Sequence, residues 1–155
     1  MPIYIASDHG GINLKTIITE HLKFQNKEFV DMGPKEKNPQ DDYPDFVIPA
    51  MKKLQENPIS DCAILICRNG VGVNILANKF NGVRAGLSWN PQHAKTHKED
   101  DHTNVLTLPA DFVSEREALE IVDLWLNSKY SDEPRHNRRL QKIADFEGNL
   151  PEENL

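Results

Sequence analysis

The chain is poor in the features that mark membrane, secreted and zinc-binding proteins. Only two of its 155 residues are cysteine, and they do not form a zinc-type pair. Cys62 and Cys67 stand at opposite ends of one predicted strand, about 16 Å apart, which is too far for a mutual disulfide. No apolar run approaches the roughly 18 residues of a membrane span. Because Met1-Pro2-Ile3 leads directly into a strand, we expect no signal peptide and a cytoplasmic location.

The charge balance argues against nucleic acid as a partner. The formal net charge is −6, which is wrong in sign for a protein that coats a phosphate backbone. A local exception is a basic cluster formed by Arg135, His136, Arg138, Arg139 and Lys142. The composition, 38% hydrophobic and 27% charged, is that of an ordinary globular domain. We predict one domain over residues 1–147 and an acidic tail over residues 148–155.

Short apolar segments alternate with helical patterns along the whole chain. The predicted strands span residues 2–7, 28–32, 63–67, 83–88 and 103–108. This alternation predicts an α/β fold, a Rossmann-like three-layer sandwich with a five-stranded parallel sheet. The last predicted helix is rich in arginine and follows a polar break at residues 131–134. Its separation from the rest of the chain places it to reach a partner subunit.

The most informative stretch is the central strand and the turn that follows it. Cys67 ends a continuous apolar run, and Gly70 and Gly72 follow two residues apart before a helical pattern begins. Such a turn exposes backbone N–H groups that suit a phosphate or a developing oxyanion. The pattern also fits an ordinary strand-to-helix turn in which Cys67 is only a small buried hydrophobe. A nucleotide site is poorly supported, because the third glycine and the phosphate-loop lysine are missing.

Other polar residues follow the first and fourth predicted strands or lie in the last helix. Asp8 and His9 follow the first strand and Asn90 the fourth, and loops at these strand ends converge in a doubly wound fold. Asp8 could orient His9 for proton transfer or anion binding, or it could simply cap the next helix. Arg135 and Arg139 share one helix face and suit a phosphate, although a solvated charged face is the commoner explanation.

A set of short motifs, taken in order, is far more specific than any one of them. The motifs are Ser7-Asp8-His9-Gly10-Gly11, Asp42-Tyr43-Pro44, Cys67-x-x-Gly70-Val71-Gly72-Val73, Ala77-Asn78-Lys79, Gly82-Val83-Arg84-Ala85, Thr103-Asn104-Val105-Leu106 and Arg135-His136-x-x-Arg139. On these residues the chain closely resembles the type B ribose-5-phosphate isomerases. It is similar, more broadly, to the family that they share with galactose-6-phosphate isomerase subunits. The resemblance runs from residue 3 to residue 146.

The resemblance implies an aldose–ketose isomerase that uses no metal or cofactor and acts on a phosphorylated sugar through an enediolate. Cys67 matches the base that moves a proton between C1 and C2 of the sugar. Asn69 stands where relatives carry threonine or serine, and it can still hydrogen-bond a sugar oxygen. Gly70, Val71 and Gly72 can offer backbone N–H groups to the enediolate oxygen.

The resemblance also implies substrate-binding residues and a partner. Asp8 and His9 match substrate-binding positions, and Tyr43 lines the sugar pocket. Arg135 and Arg139 match phosphate ligands that come from a neighbouring subunit. The implied assembly is a homodimer or a tetramer whose active site is shared between subunits, with neither nucleic acid nor membrane as a partner.

The chain departs from the family pattern where the substrate is handled. Asp100-Asp101 aligns with a histidine-asparagine pair whose histidine assists ring opening. We expect Asp100 to take over this acid–base role and Asp101 to contact substrate. His102, His97 or uncatalysed opening in solution are the alternatives.

A second departure concerns charge near the cysteine. Arg68 replaces the usual glycine, and Asp111 lies near the position of an arginine that binds phosphate in many relatives. We expect Arg68 to replace the charge lost there, or to act on the thiol beside it.

These departures leave other functions open. The chain could catalyse the same reaction on allose 6-phosphate or a galactose 6-phosphate. Because it lacks the ring-opening histidine, it could also be a noncatalytic sugar-phosphate-binding subunit. The presence of Cys67 argues against the latter, since a pure binder has no need for a base.

Overall fold

Five apolar segments pair in parallel to form one sheet. The strands are β1 (Ile3–Ser7), β2 (Phe29–Asp31), β3 (Cys62–Cys67), β4 (Ala85–Leu87) and β5 (Val105–Pro109). Every residue of β1, β3 and β5 is buried in the computed structural model, which describes residues 2–148. Strands buried on both faces read as continuous apolar runs, and this explains why β3 could be identified from the sequence.

Helices cover both faces of the sheet and complete the predicted three-layer sandwich. They are α1 (Ile12–Phe24), α2 (Pro44–Leu54), α3 (Val71–Ala77), α4 (Pro91–Asp101), α5 (Glu115–Asn127) and α6 (Pro134–Gly148). Buried residues of α1, α4 and α5 pack on one face, and those of α2 and α3 pack on the other. Within residues 2–148, no helix has the length and apolar character needed to cross a bilayer.

Alternation along β3 decides which layer each of its side chains meets. Ile64 and Ile66 belong to the core beneath α1 and α5, whereas Leu65 and Cys67 belong to the core beneath α2 and α3. Successive side chains of a strand point to opposite faces, so this division follows from the backbone alone. The thiol of Cys67 is therefore directed toward the α2–α3 side of the sheet.

Strand boundaries differ from the sequence prediction at the two edges of the sheet. The strand predicted over 83–88 is confined to β4, and the strand predicted over 28–32 is confined to β2. The backbone N–H of Arg84 donates to the side-chain oxygen of Asn104 at 2.8 Å. The side chain of Asn104 thus takes the N–H of a residue that the apolar pattern assigned to a strand.

A buried cation fastens α1 to β2. The side chain of Lys15 is only 3% exposed, and its Nζ lies 2.5 and 2.6 Å from the carboxylate oxygens of Asp31. Asp31 also accepts a hydrogen bond from the backbone of Gly33. Burial of the lysine is tolerated because a paired and hydrogen-bonded charge offsets much of its desolvation.

The last helix is weakly buried by its own chain. Its single buried residue is His136, and the apolar side chains of Ile143 and Phe146 are 49% and 65% exposed. Gly148 closes this helix, so the rest of the predicted acidic tail, residues 149–155, lies outside the described residues. The predicted reach toward a partner subunit stays a prediction, because the structure contains one chain.

Candidate active site

The order of the strands creates a crevice between β1 and β3. The sheet order is β2-β1-β3-β5-β4, so the chain moves to one side of β1 and then returns to the other. Ligands of open α/β sheets bind outside the carboxyl ends of strands at such a switch point. Ser7 pairs with Ile66 at the end of the two strands, and Asp8 and Cys67 therefore leave the sheet side by side.

The thiol of Cys67 lies inside a tight turn of backbone. The N–H of Gly70 donates to its Sγ at 3.2 Å, and Asn69 Oδ1 lies 3.7 Å from the same sulfur. Asn69 Oδ1 also accepts from the backbone N–H of Val71 at 3.0 Å, where α3 begins. The structure thus brings together the predicted thiol, amide and backbone donors in one place.

Two glycines make this turn possible. Gly70 has a φ of +72°, and a Cβ there would lie 2.5 Å from Cδ1 of Leu87. A Cβ on Gly72 would lie 2.7 Å from ring atoms of Tyr43. The ring of Tyr43 therefore packs directly against the backbone of the turn that follows Cys67.

Asp8 stabilises the turn between β1 and α1. Its Oδ1 accepts from the backbone N–H groups of Gly10 at 2.9 Å and Gly11 at 3.1 Å. The alternative that Asp8 caps the next helix is therefore wrong, because the N-cap of α1 is Gly11 and no side chain caps it, and Asp8 instead holds the turn before the helix. A Cβ on Gly11 would lie 2.7 Å from the carbonyl oxygen of Ile66, so the turn rests directly on β3.

His9 is held by a carboxylate that sequence reasoning missed. Asp41 Oδ1 lies 2.7 Å from His9 Nδ1 and also accepts from the His9 backbone N–H at 2.9 Å. The side chain of Asp41 is 7% exposed. Sequence reasoning treated residues 35–43 as a loop without a turn pattern. A contact across 32 residues left no local signal beyond an acidic residue next to the Asp42-Tyr43-Pro44 motif.

Arg68 lies beside Asp111, near the position whose lost arginine it is expected to replace. Its Nη1 lies 3.4 Å from Asp111 Oδ2, and the side chains are 63% and 46% exposed. A Cβ on Gly10 would lie 2.5 Å from Arg68 Cγ, so the stem of the arginine crosses the turn after β1. The two departures from the family pattern are therefore neighbours, and Asp111 partly neutralises the guanidinium.

The remaining predicted site residues lie apart from Cys67 within this chain. Asp100 Oδ1 lies 3.8 Å from His136 Nδ1, and Arg135 pairs with Glu133 at 2.9 Å. Asp101 lines a pocket of about 480 Å³ between β4, α4 and α6, and Arg139 is exposed. Within residues 2–148, none of the four predicted residues forms a hydrogen bond or ion pair with residues 67–72.

The two histidines considered as replacements for Asp100 are occupied elsewhere. His97 is buried, its Nδ1 lies 2.7 Å from Thr103 Oγ1, and burial lowers its pKa to about 4. His102 stacks on Tyr130 with ring centroids 4.5 Å apart, and burial lowers its pKa as well. Among the described residues, no group of His, Cys, Asp and Glu is arranged to hold a metal ion.

The fold and the thiol-centred crevice define a Rossmann-like α/β protein with its polar groups at the switch point. The family described as Ribose/Galactose Isomerase matches residues 3–143. Probable ribose-5-phosphate isomerase B from Mycoplasma genitalium is 43% identical over 145 residues, covering 94% of this chain and 95% of that protein.

Solved structures agree with this relationship. Ribose-5-phosphate isomerase B from M. genitalium with bound ribulose-5-phosphate has a TM-score of 0.93 at 42% identity, covering 96% of this chain and 97% of that chain. The isomerase B from Clostridium thermocellum has a TM-score of 0.89 at 37% identity, covering 96% and 98%. The chain belongs to the ribose/galactose isomerase family and shares its fold with type B ribose-5-phosphate isomerases.

Replacement of Gly70 by alanine should disrupt the site beyond the strain of its backbone. Gly82 is a matched control, since its φ is +76° but its Cβ would meet nothing closer than 4.0 Å. We expect Gly82→Ala to lower the free energy of unfolding by about 1 kcal/mol through backbone strain alone. Gly70→Ala should cost about 1–3 kcal/mol more through overlap with Leu87 and should reduce activity. Urea unfolding of both variants measures the difference, and equal losses would contradict the steric account.

Proposed function

We propose that this chain interconverts ribose 5-phosphate and ribulose 5-phosphate. Its membership of an isomerase family supports the reaction class. The observation that carries the proposal is the thiol of Cys67, which lies at the switch point with the N–H of Gly70 3.2 Å from its sulfur. We also propose a cytoplasmic location, where phosphorylated sugars are metabolised.

Cys67 is the proposed base for the proton transfer, which needs no cofactor. Its thiolate takes the proton from C2 of the open-chain aldose, and the electron pair passes to O1 to form an enediolate. The thiol, whose proton exchanges with solvent, then protonates C1. The O2 hydroxyl proton passes to O1 as the carbonyl forms at C2, so no external oxidant or reductant is required. The side-chain amide of Asn69 and the N–H of Gly72 are the proposed donors to the enediolate oxygen, where fixed dipoles stabilise developing charge. The N–H groups of Gly70 and Val71 donate to Cys67 Sγ and Asn69 Oδ1 in this structure, and they would have to turn to the substrate to join them.

The remaining site residues hold the sugar and its phosphate in this proposal. Tyr43 packs on Gly72 and forms the wall beside the sugar. Asp8 shapes the loop that faces it, while Arg68 contributes positive charge at the rim next to Asp111.

The phosphate is proposed to bind to α6 of a partner subunit in a homodimer. Arg135 and Arg139 lie four residues apart and are exposed, so both guanidinium groups are accessible on one helix face. The exposed side chains of Ile143 and Phe146 give α6 an apolar surface that a second subunit could cover. Asp100 and Asp101 lie where α4 ends, beside α6, and the proposed shared site includes them.

Replacement of Cys67 should abolish isomerisation, whereas replacement of Cys62 on the same strand should not. Cys62 is 4% exposed and Cys67 5%, so both are buried thiols at opposite ends of β3. Burial raises the pKa of Cys62 to about 11, and this thiol remains protonated at neutral pH. We expect Cys67→Ala to lower kcat by about 10²–10⁴-fold and Cys62→Ala to leave it nearly unchanged.

The measurement is the formation of ribulose 5-phosphate from ribose 5-phosphate, with sugar-phosphate binding followed by calorimetry. Cys67→Ala should bind substrate without converting it. Equal activity of the two variants would remove Cys67 as the base, and conversion of six-carbon sugar phosphates alone would change the proposed substrate.

A shared site predicts complementation between two inactive variants. Cys67→Ala and Arg139→Ala should each lose most activity as pure assemblies. A mixed dimer, purified through two different tags, restores one intact site from the unmutated Cys67 and Arg139 of opposite chains. We expect about half the wild-type activity per dimer. A site built within one chain would give no recovery, and that result would contradict the shared arrangement.

A further inference from the structure

One buried carboxylate is committed entirely to His9. Asp41 Oδ1 lies 2.7 Å from the imidazole Nδ1 and receives the backbone N–H at 2.9 Å. Its other oxygen, Oδ2, is buried and has no hydrogen-bond partner within residues 2–148. A carboxyl group that is 7% exposed is thus directed at a single histidine. Asp31, by contrast, spreads its hydrogen bonds over Lys15 and Gly33.

The contact determines which nitrogen of His9 can act on a ligand. An ionised carboxylate only accepts hydrogen bonds, so Nδ1 carries a proton and donates it to Asp41. Nε2 lies on the opposite side of the ring and has no hydrogen-bond partner in the described chain. The side chain of His9 is 23% exposed, so this nitrogen is not sealed in the core.

His9 also lies on the correct edge of the sheet. It follows β1, whose last residue pairs with Ile66 immediately before Cys67. The turn that carries it touches Arg68 through Gly10 and β3 through Gly11. The loop that carries Asp41 continues into the tyrosine that packs on Gly72. Three segments therefore meet at residues 66–72, and the His9–Asp41 pair joins two of them.

We infer that Asp41 is a positioning residue and that His9, oriented by it, is the catalytic residue that opens the sugar ring. The inference rests on the proposed function, because it supplies a step that precedes proton transfer by Cys67. A histidine whose Nδ1–H is held by a carboxylate is a recurring arrangement for an imidazole that gains and loses a proton at Nε2.

The step balances without a redox change. Nε2 of His9 accepts the proton of the anomeric hydroxyl, and the O1–H electron pair becomes the second bond of C1=O1. The C1–O4 bond breaks, its electron pair remains on O4, and O4 takes a proton from water. The imidazolium formed is stabilised by Asp41 and then releases its proton to water. The product is the open-chain aldehyde that Cys67 requires.

Within the chain that supplies Cys67, the other candidates for this step lie farther from the thiol. Asp100 lies beside His136 of α6, at 3.8 Å. His97 is buried against Thr103, and His102 stacks on Tyr130. His9 is the one candidate whose free nitrogen lies on a loop that touches the Cys67 segment in the same chain.

The two reaction directions separate ring opening from proton transfer. Ribose 5-phosphate is mostly cyclic, whereas ribulose 5-phosphate cannot form a five-membered ring because its O5 carries the phosphate. An enzyme that cannot open the ring must wait for spontaneous opening in solution. Its rate on ribose 5-phosphate then levels off as enzyme concentration rises, while its rate on ribulose 5-phosphate stays proportional to enzyme.

The experiment measures initial rates in both directions over a wide range of enzyme concentration. For Asp41→Ala and His9→Gln we expect a plateau on ribose 5-phosphate, about 10²-fold or more below wild type at high enzyme, and proportional rates on ribulose 5-phosphate. Asp41→Asn keeps an acceptor for Nδ1–H and should recover part of the rate. Asp45→Ala, an exposed carboxylate on the adjoining helix, is the matched control and should behave as wild type.

Two outcomes would overturn this inference and leave the proposed function standing. Rates on ribose 5-phosphate that remain proportional to enzyme in Asp41→Ala, with only a higher KM, would make His9 a binding residue. Equal losses in both directions would make Asp41 merely structural. A wild-type protein that converts neither sugar would instead overturn the proposed function, so the two failures are distinguishable.

Discussion

Parallel pairing of β1 with β3 is the constraint on which the site depends. It sets Ser7 against Ile66, so that two loops from distant parts of the sequence leave the sheet together. The first loop carries Asp8 and His9, and the second carries Cys67. Because side chains alternate along β3, the same pairing also fixes the layer toward which the thiol points. A register shift of one residue would turn Cys67 toward α1 and α5 and separate the site from Tyr43.

Charge around this crevice is arranged in pairs that the family pattern did not predict. Arg68 stands next to Asp111, and His9 stands on Asp41. The Arg68–Asp111 pair is exposed and therefore weak in water. The buried Asp41 contact is different, since a desolvated carboxylate holds its partner in one orientation. The chain thus keeps the cysteine and the turn glycines of the family pattern while it differs from that pattern at residues 68, 100, 101 and 111.

The sequence was most informative where local patterns decide the structure. Apolar runs predicted all five strands, and Gly70 and Gly72 predicted the turn of backbone N–H groups that follows Cys67. The predicted strand wrongly includes Arg84, whose backbone N–H donates to the side chain of Asn104 and not to a neighbouring strand. The His9–Asp41 contact could not be predicted, since no periodicity links residues 32 positions apart. The placement of Arg139 in a shared site depends on a second subunit and stays a prediction.

The central claim, proton transfer through Cys67, is tested most directly by isotope exchange. Ribulose 5-phosphate is converted in D₂O, and the product is analysed by NMR for deuterium at C2 of ribose 5-phosphate. A thiol exchanges its proton with solvent, so the account predicts deuterium at C2 with the wild-type protein and no conversion with Cys67→Ala. Complete retention of the original hydrogen in the product, or undiminished conversion by Cys67→Ala, would contradict it.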